Sequence, residues 1–188
     1  AYLCAVSGGY RVRVGKWTEE SDAQAAQAGV ESVCGYPTVL RGSSRTCYTV
    51  VVTGTDEILF QLDYLGSARL GIEPESELTW FKGYQYRGGF EYYRASGGNL
   101  SVINVVGLTD YIKGVLPYEV SPSWPVEAQK AQALCAKCYA LNNKGKHSGK
   151  GFDLCNNTDC QMYQGANRAT AVSDSAVEAV DGLYVLYN

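Results

Sequence analysis

The sequence predicts an α+β fold: a strand-rich body carrying two or three helices, the longest near Pro125–Asn142. Three observations predict it. Before residue 106, runs of β-branched and aromatic residues are broken by Gly-Gly or Gly-Asn turns. After it, small and apolar residues recur at helical spacing. Hydrophobic residues are 46% of the 188 and charged residues 19%, which favours a packed core over disorder.

Tyr10–Val14 alternates as YRVRV, a strand with Tyr and Val on one face and Arg on the other. TEESDAQAAQAGV follows as a helix, with Ser21 to cap it and Gly29 to end it. YPTVLRG and CYTVVVTG read as strands around the turn GSS. Cys34 and Cys47 flank that hairpin, either to pair across it or as two buried thiols. Strand, helix, strand, strand over 10–54 resembles the SPOR domain, a module that binds glycan strands stripped of peptides.

EILFQLDYL, KGYQYRGGFEYYRA and NLSVINVVG are further strands. LTDYIKGV is a short helix, with Thr109 as N-cap and Pro117 beyond its end. Pro125 suits the first turn of the next helix, where its missing N–H costs nothing, and Glu127 suits the positive end of the dipole. Ala128, Ala131, Cys135 and Cys138 share one face of it. SDSAVEAVDG is a helix capped by Ser173 and closed at Gly182. LYVLY begins a strand that needs a neighbour, so the chain is expected to be truncated or cleaved there.

The net charge of −3, with no basic stripe, argues against nucleic acid as a partner. Tyr outnumbers Phe by 15 to 4, which suits carbohydrate but also suits plain β-strands. No apolar run reaches transmembrane length, and AYLCAVSGGY lacks a signal peptide's charged start. The seven cysteines are an odd number, which points to mixed roles.

Three groups of residues can carry chemistry. Glu119 lies between Pro117 and Pro122, with Trp124 as a nearby apolar wall. A lone glutamate is ordinarily a solvated surface group. Beside such a wall it would shed hydration and could act as an acid near neutral pH. His147, the only histidine, precedes Cys155 and Cys160. These are zinc-type ligands, although C-x4-C spacing also allows a local disulfide or free thiols. Cys135 and Cys138 form a C-x-x-C in a helix interior, where core packing is a better reading than redox chemistry. With no G-x-S-x-G, phosphate loop or second histidine, serine hydrolase, nucleotide-dependent and multi-histidine metalloenzymes are disfavoured.

GVLPYEVSPSWPVEAQKAQALCAKCYAL resembles the stage II sporulation protein D family, also called the amidase-enhancer or LytB family. The likeness rests on Gly114, Val115, Pro117, Glu119, Trp124, Pro125, Glu127, Ala128, Lys130, Ala131 and Gln132. It continues at Cys155, Cys160, Gln161, Tyr163 and Gly165. It divides the chain into a strand-rich part over 1–100 and a core over 101–188. The resemblance implies a peptidoglycan lytic transglycosylase of spore engulfment with a glycan-binding groove. Glu119 would be the single acid/base, cleaving between MurNAc and GlcNAc and closing a 1,6-anhydro ring. It further implies substrate contacts by Trp124, Gln132, Lys137, Tyr139, Gln161 and Tyr163, and zinc on His147, Cys155 and Cys160. Implied partners are peptidoglycan glycan strands and a cell-wall amidase of the stage II sporulation protein P type. The implied location is extracytoplasmic, anchored to a membrane in the full-length protein.

The chain departs from the family pattern at three places. Lys137 and Cys138 replace Arg-Thr, losing the planar guanidinium fork. Asp159 stands where relatives often have His, although Asp can ligate zinc through oxygen. Pro122 sits one residue later than the family's proline. A non-catalytic, glycan-binding enhancer of the amidase is therefore the alternative function.

Overall fold

A computed structural model of the chain describes residues 1–42, 44, 46–63, 69–95 and 99–186. Two compact units result, one reaching Leu70 and one beginning at Gly71. The division falls about thirty residues before the expected 100/101, because the middle strands fold with the C-terminal helices.

The N-terminal unit contains β1 (Tyr2–Val6), β2 (Gly9–Arg13), α1 (Glu20–Cys34), β3 (Cys47–Val51) and β4 (Ile58–Asp63). Its sheet has the order β2-β1-β4-β3, with β1 antiparallel to β2 and parallel to β4. Pairing puts Cys4 opposite Arg11 and Gln61, so Arg11, Arg13, Gln61 and Asp63 share one face. Arg13 donates to Gln61 Oε1 and to Asp63 Oδ2, each at 2.7 Å.

Several expectations change here. β1 is an additional strand that YLCAV, too short and apolar to alternate, does not announce. YPTVLRG is not a strand: Pro37 cannot donate to a ladder, and Thr38 binds α1 instead. Thr38 N–H and Oγ1 donate to Glu31 Oε1 at 2.6 and 3.0 Å. α1 runs through Gly29 and ends at Gly35, whose φ of 74° suits a residue without Cβ. Glu19, rather than Ser21, occupies its N-cap, with no side-chain bond. All seven cysteines are free thiols and Cys34 is exposed, so neither reading of the Cys34 and Cys47 pair holds.

The C-terminal unit contains β5 (Leu70–Ile72), β6 (Thr79–Phe81), β7 (Tyr84–Tyr86), β8 (Gly89–Arg94), β9 (Leu100–Val105), α2 (Leu108–Glu119), α3 (Val126–Asn142) and α4 (Ala171–Glu178). β5-β8-β9 form one sheet and β6-β7 a hairpin. The fold class is α+β, as the patterning predicts, with four α-helices among the described residues where two or three were expected.

The core gathers Ile112, Val115 and Leu116 of α2, Ala133, Ala136 and Ala140 of α3, and Ala176 and Val177 of α4 around Tyr163. Burying each large aliphatic chain contributes about 1.5–3 kcal/mol. The buried face of α3 is Gln129, Ala133, Ala136, Lys137 and Ala140. It is not the Ala128–Cys138 face read from the sequence; Cys135 is exposed, so core packing does not explain it. Small residues all round α3 gave periodicity no means of choosing.

α2 continues through Pro117 to Glu119. A proline in the last turn forfeits one bond, to the Lys113 carbonyl, and little helix remains to break. Gly107 takes the N-cap position, and Thr109 instead donates to Asp181 at 3.2 Å. α4 starts earlier than expected, because Thr170 forms a capping box with Ser173. Residues 183–186 form no strand. Ser43 of the GSS turn, Tyr64 and Leu65 of the EILFQLDYL run, Gly98 and Tyr187 lie outside the described residues.

Candidate functional site

The loop between α3 and α4 folds back on itself to bring four donor side chains together. His147 N–H donates to Asp153 O at 3.1 Å, and a 3-10 turn at Ser148–Lys150 follows. Asn157 shapes the CNNTDC turn: its Oδ1 accepts Asp159 N–H at 2.9 Å and its carbonyl accepts Cys160 N–H at 3.0 Å. The ligand atoms of His147, Cys155, Asp159 and Cys160 consequently lie within 4.8 Å of one another. His147 Nε2 is 3.3 Å from Cys160 Sγ and 3.2 Å from Asp159 Oδ2. Cys155 Sγ is 3.8 Å from Asp159 Oδ2.

A tetrahedral zinc with ordinary bond lengths separates its ligands by roughly 3.3–3.8 Å, so these spacings suit it. Two thiolates and one carboxylate around a dication leave one negative charge. Lys146 Nζ, 3.3 Å from Asp159 Oδ1, stands beside it to balance that charge. With Asp159 the group offers four donors, the number that a closed structural site would use. Burial, foremost, pushes the Cys160 thiol up, while the Cys155 N–H donated to its sulfur at 3.4 Å opposes this.

Glu119 is the last residue of α2 rather than part of a proline-bound loop. It is exposed, the ordinary state of a lone glutamate, and the alternative of dehydration against an apolar wall is not found. Its Oε1 accepts Met162 N–H at 3.1 Å, and Met162 lies two residues past Cys160. The ligand-bearing loop therefore also orients the carboxylate. Tyr111, two helical turns before Glu119, supports the same loop by donating to Gln161 Oε1 at 3.2 Å. Burial first, then the nearby Cys160, Cys155, Tyr139 and Glu119 charges, push the Tyr111 phenol well above its ordinary range. It remains a neutral donor at any physiological pH.

Residues 96–187 match the family model described as "Stage II sporulation protein", SpoIID. The C-terminal half of the chain is a member of the SpoIID family. SpoIID membership implies a function connected with the sporulation cell wall. An uncharacterised protein of Brachyspira hyodysenteriae is 40% identical over 96 residues, which span 48% of this chain and 26% of that relative. No solved structure matches the chain.

The SpoIID residues expected to meet substrate divide into exposed and buried groups. Trp124 is half exposed on the 121–125 loop, which Gln129 holds by donating to the Trp124 and Pro122 carbonyls at 2.9 and 3.3 Å. Gln132 and Tyr139 are partly exposed, and Tyr139 reaches the Asp159 carbonyl at 3.5 Å. Lys137, Gln161 and Tyr163 are buried. Lys137 donates to the Val180 carbonyl just past α4 and lies over the Tyr184 ring. Gln161 donates to Ala136 O at 3.2 Å, and Tyr163 donates to Asn104 Oδ1. Tyr111, Gln129 and Lys146 are supports that the sequence reading did not single out. Their signals were there: Tyr111 shares a helical face with Glu119, and Lys146 adjoins the only histidine.

Proposed function

We propose that the SpoIID domain is a peptidoglycan lytic transglycosylase acting through Glu119. The observation that carries this reading is a carboxylate fixed by one oxygen, through the Met162 amide, yet open to solvent. As acid, Glu119 gives a proton to the glycosidic oxygen between MurNAc and GlcNAc. As base, it then takes the proton of the MurNAc 6-hydroxyl, whose oxygen closes the anhydro ring. One carboxylate suffices because the sugar supplies the nucleophile. Trp124 offers a face for a sugar ring, and Tyr139 borders the ligand loop. Zinc bound by His147, Cys155, Asp159 and Cys160 would fix the loop that aims Glu119.

The substrate in this reading is the glycan strand, and a stage II sporulation protein P-type amidase is the proposed partner. The site of action is extracytoplasmic, with an anchor in the longer protein. Glu119→Gln keeps shape and hydrogen bonding but cannot move a proton. Release of anhydro-muropeptides, measured by mass spectrometry, should fall by at least about 10²–10⁴-fold while pelleting with insoluble peptidoglycan persists. Equal cleavage by the variant would remove Glu119 from the mechanism. The amidase-enhancer reading draws on one observation: Lys137, where relatives carry a charged fork, is committed to the Val180 carbonyl. It predicts binding without cleavage by either protein.

A further inference from the structure

The polar face of the N-terminal sheet carries a second site of different chemistry. A cleft of about 480 Å³ opens beside β2, lined by Arg11, Arg13, Arg41, Ser7, Ser44 and Asp63. Arg11 and Arg13 are two residues apart on β2, so both side chains leave the same face about 6.5–7 Å apart. Arg41 joins them from the segment after α1.

The three guanidiniums are not equivalent. Arg13 is bound at both terminal nitrogens, by Gln61 Oε1 and Asp63 Oδ2, and its Nε is buried without a partner. It is a fixed part of the wall. Neither the Arg11 nor the Arg41 side chain forms a hydrogen bond or ion pair with another described residue, and both are exposed. Three positive groups against one carboxylate leave the cleft at +2, in a chain whose net charge is −3. Two uncommitted guanidinium forks held beside a third need a reason.

We propose that this cleft binds a phosphate monoester carried on a body the size of a sugar. The charge selects the ligand. A phosphate monoester carries about −1.5 to −2 near neutral pH and neutralises the site, whereas a single carboxylate leaves one fork unanswered. Arginine forks match phosphate oxygens in pairs, and the Ser7 hydroxyl adds a further donor. The volume selects the body, because it lies within the usual range for small-molecule sites and far exceeds a bare ion. All the residues of this cleft belong to the N-terminal unit.

Calorimetric or NMR titration of the whole chain at low ionic strength tests this, using inorganic phosphate, glucose 6-phosphate, glucose and acetate. Saturable one-site binding of both phosphates is expected, tighter for glucose 6-phosphate, with none for glucose or acetate. Arg11→Gln and Arg41→Gln, both at exposed positions, should each weaken glucose 6-phosphate about tenfold. Unchanged affinity in the double variant would overturn the site, as would the absence of saturable phosphate binding. Acetate binding as tightly as phosphate would overturn the charge match. Equal affinity for the two phosphates would overturn the sugar-sized body.

Discussion

Single residues set how closely the elements approach. A Cβ on Gly114 would lie 2.4 Å from Tyr163 Cε2. That ring cannot retreat: it stacks on Tyr111 at 4.9 Å and donates to Asn104. Gly114→Ala should therefore cost about 1–3 kcal/mol, read as a lower thermal midpoint. In the other unit, the Arg13 guanidinium holds the Asp63 carboxyl below its ordinary range, first through its hydrogen bond. A depressed folded pKa contributes stability that is fully present above about pH 4 and lost as pH falls through the folded value. Denaturation between pH 7 and pH 2 should show that loss, and Asp63→Asn should flatten it at a cost near 1.5–3 kcal/mol at pH 7. Glu119 was legible because of its motif, and its exposure because a lone glutamate ordinarily meets water, but its partner was not: Met162 comes from 43 positions away.

The elements were legible where a strong local pattern coincided with the tertiary need. β8, β9 and α3 are where alternation and helical spacing put them. The α3 face was not legible, because alanines surround the helix and contacts with α2 and α4 made the choice. Pro117 misled for a related reason: proline ends a helix on average, yet burial of Val115, Leu116 and Pro117 holds this one for two further residues. Gln129 links two elements at little length. It is 1% exposed, and its amide group holds the 121–125 loop through two carbonyls. Gln129→Ala should cost about 1–3 kcal/mol and speed hydrogen exchange of the 121–125 amides ahead of those in α3. Exchange that rises uniformly across both segments would show that the loop has no separate hold.

At the scale of the molecule, the loop bearing the four donors is, among the described residues, the longest stretch of the C-terminal unit without regular structure beyond one 3-10 turn. Purified without chelator, the chain should carry one zinc by elemental analysis. Removing it should lower the thermal midpoint, because the binding energy is folding energy for a loop of this kind. Cys160→Ser should lose the metal, whereas Glu119→Gln should retain it. A zinc content near zero would leave that loop to its hydrogen bonds and to the Lys146–Asp159 pair. The composition of this site was visible in the sequence, but its fourth donor was fixed only by the turn that swings Asp159 toward His147.

Gly165 has a φ of 72°, and a Cβ there would stand 2.0 Å from the Gln85 carbonyl oxygen. The family-matched segment thus presses its backbone against a hairpin that precedes that segment. Ala166 N–H and Asn167 Oδ1 bond Gln85 on both sides, and Arg87 pairs with Asp174 at 2.9 Å. The family match begins at residue 96, but the folding unit begins some twenty-five residues earlier. A fragment cut where the likeness starts would strip β8 from β9 and leave Asp174 without its arginine. It should come out of a cell as aggregate. The fragment from Gly71 onward should remain in solution with a cooperative thermal transition, so the safe place to divide this chain is written in its packing and not in its kinship.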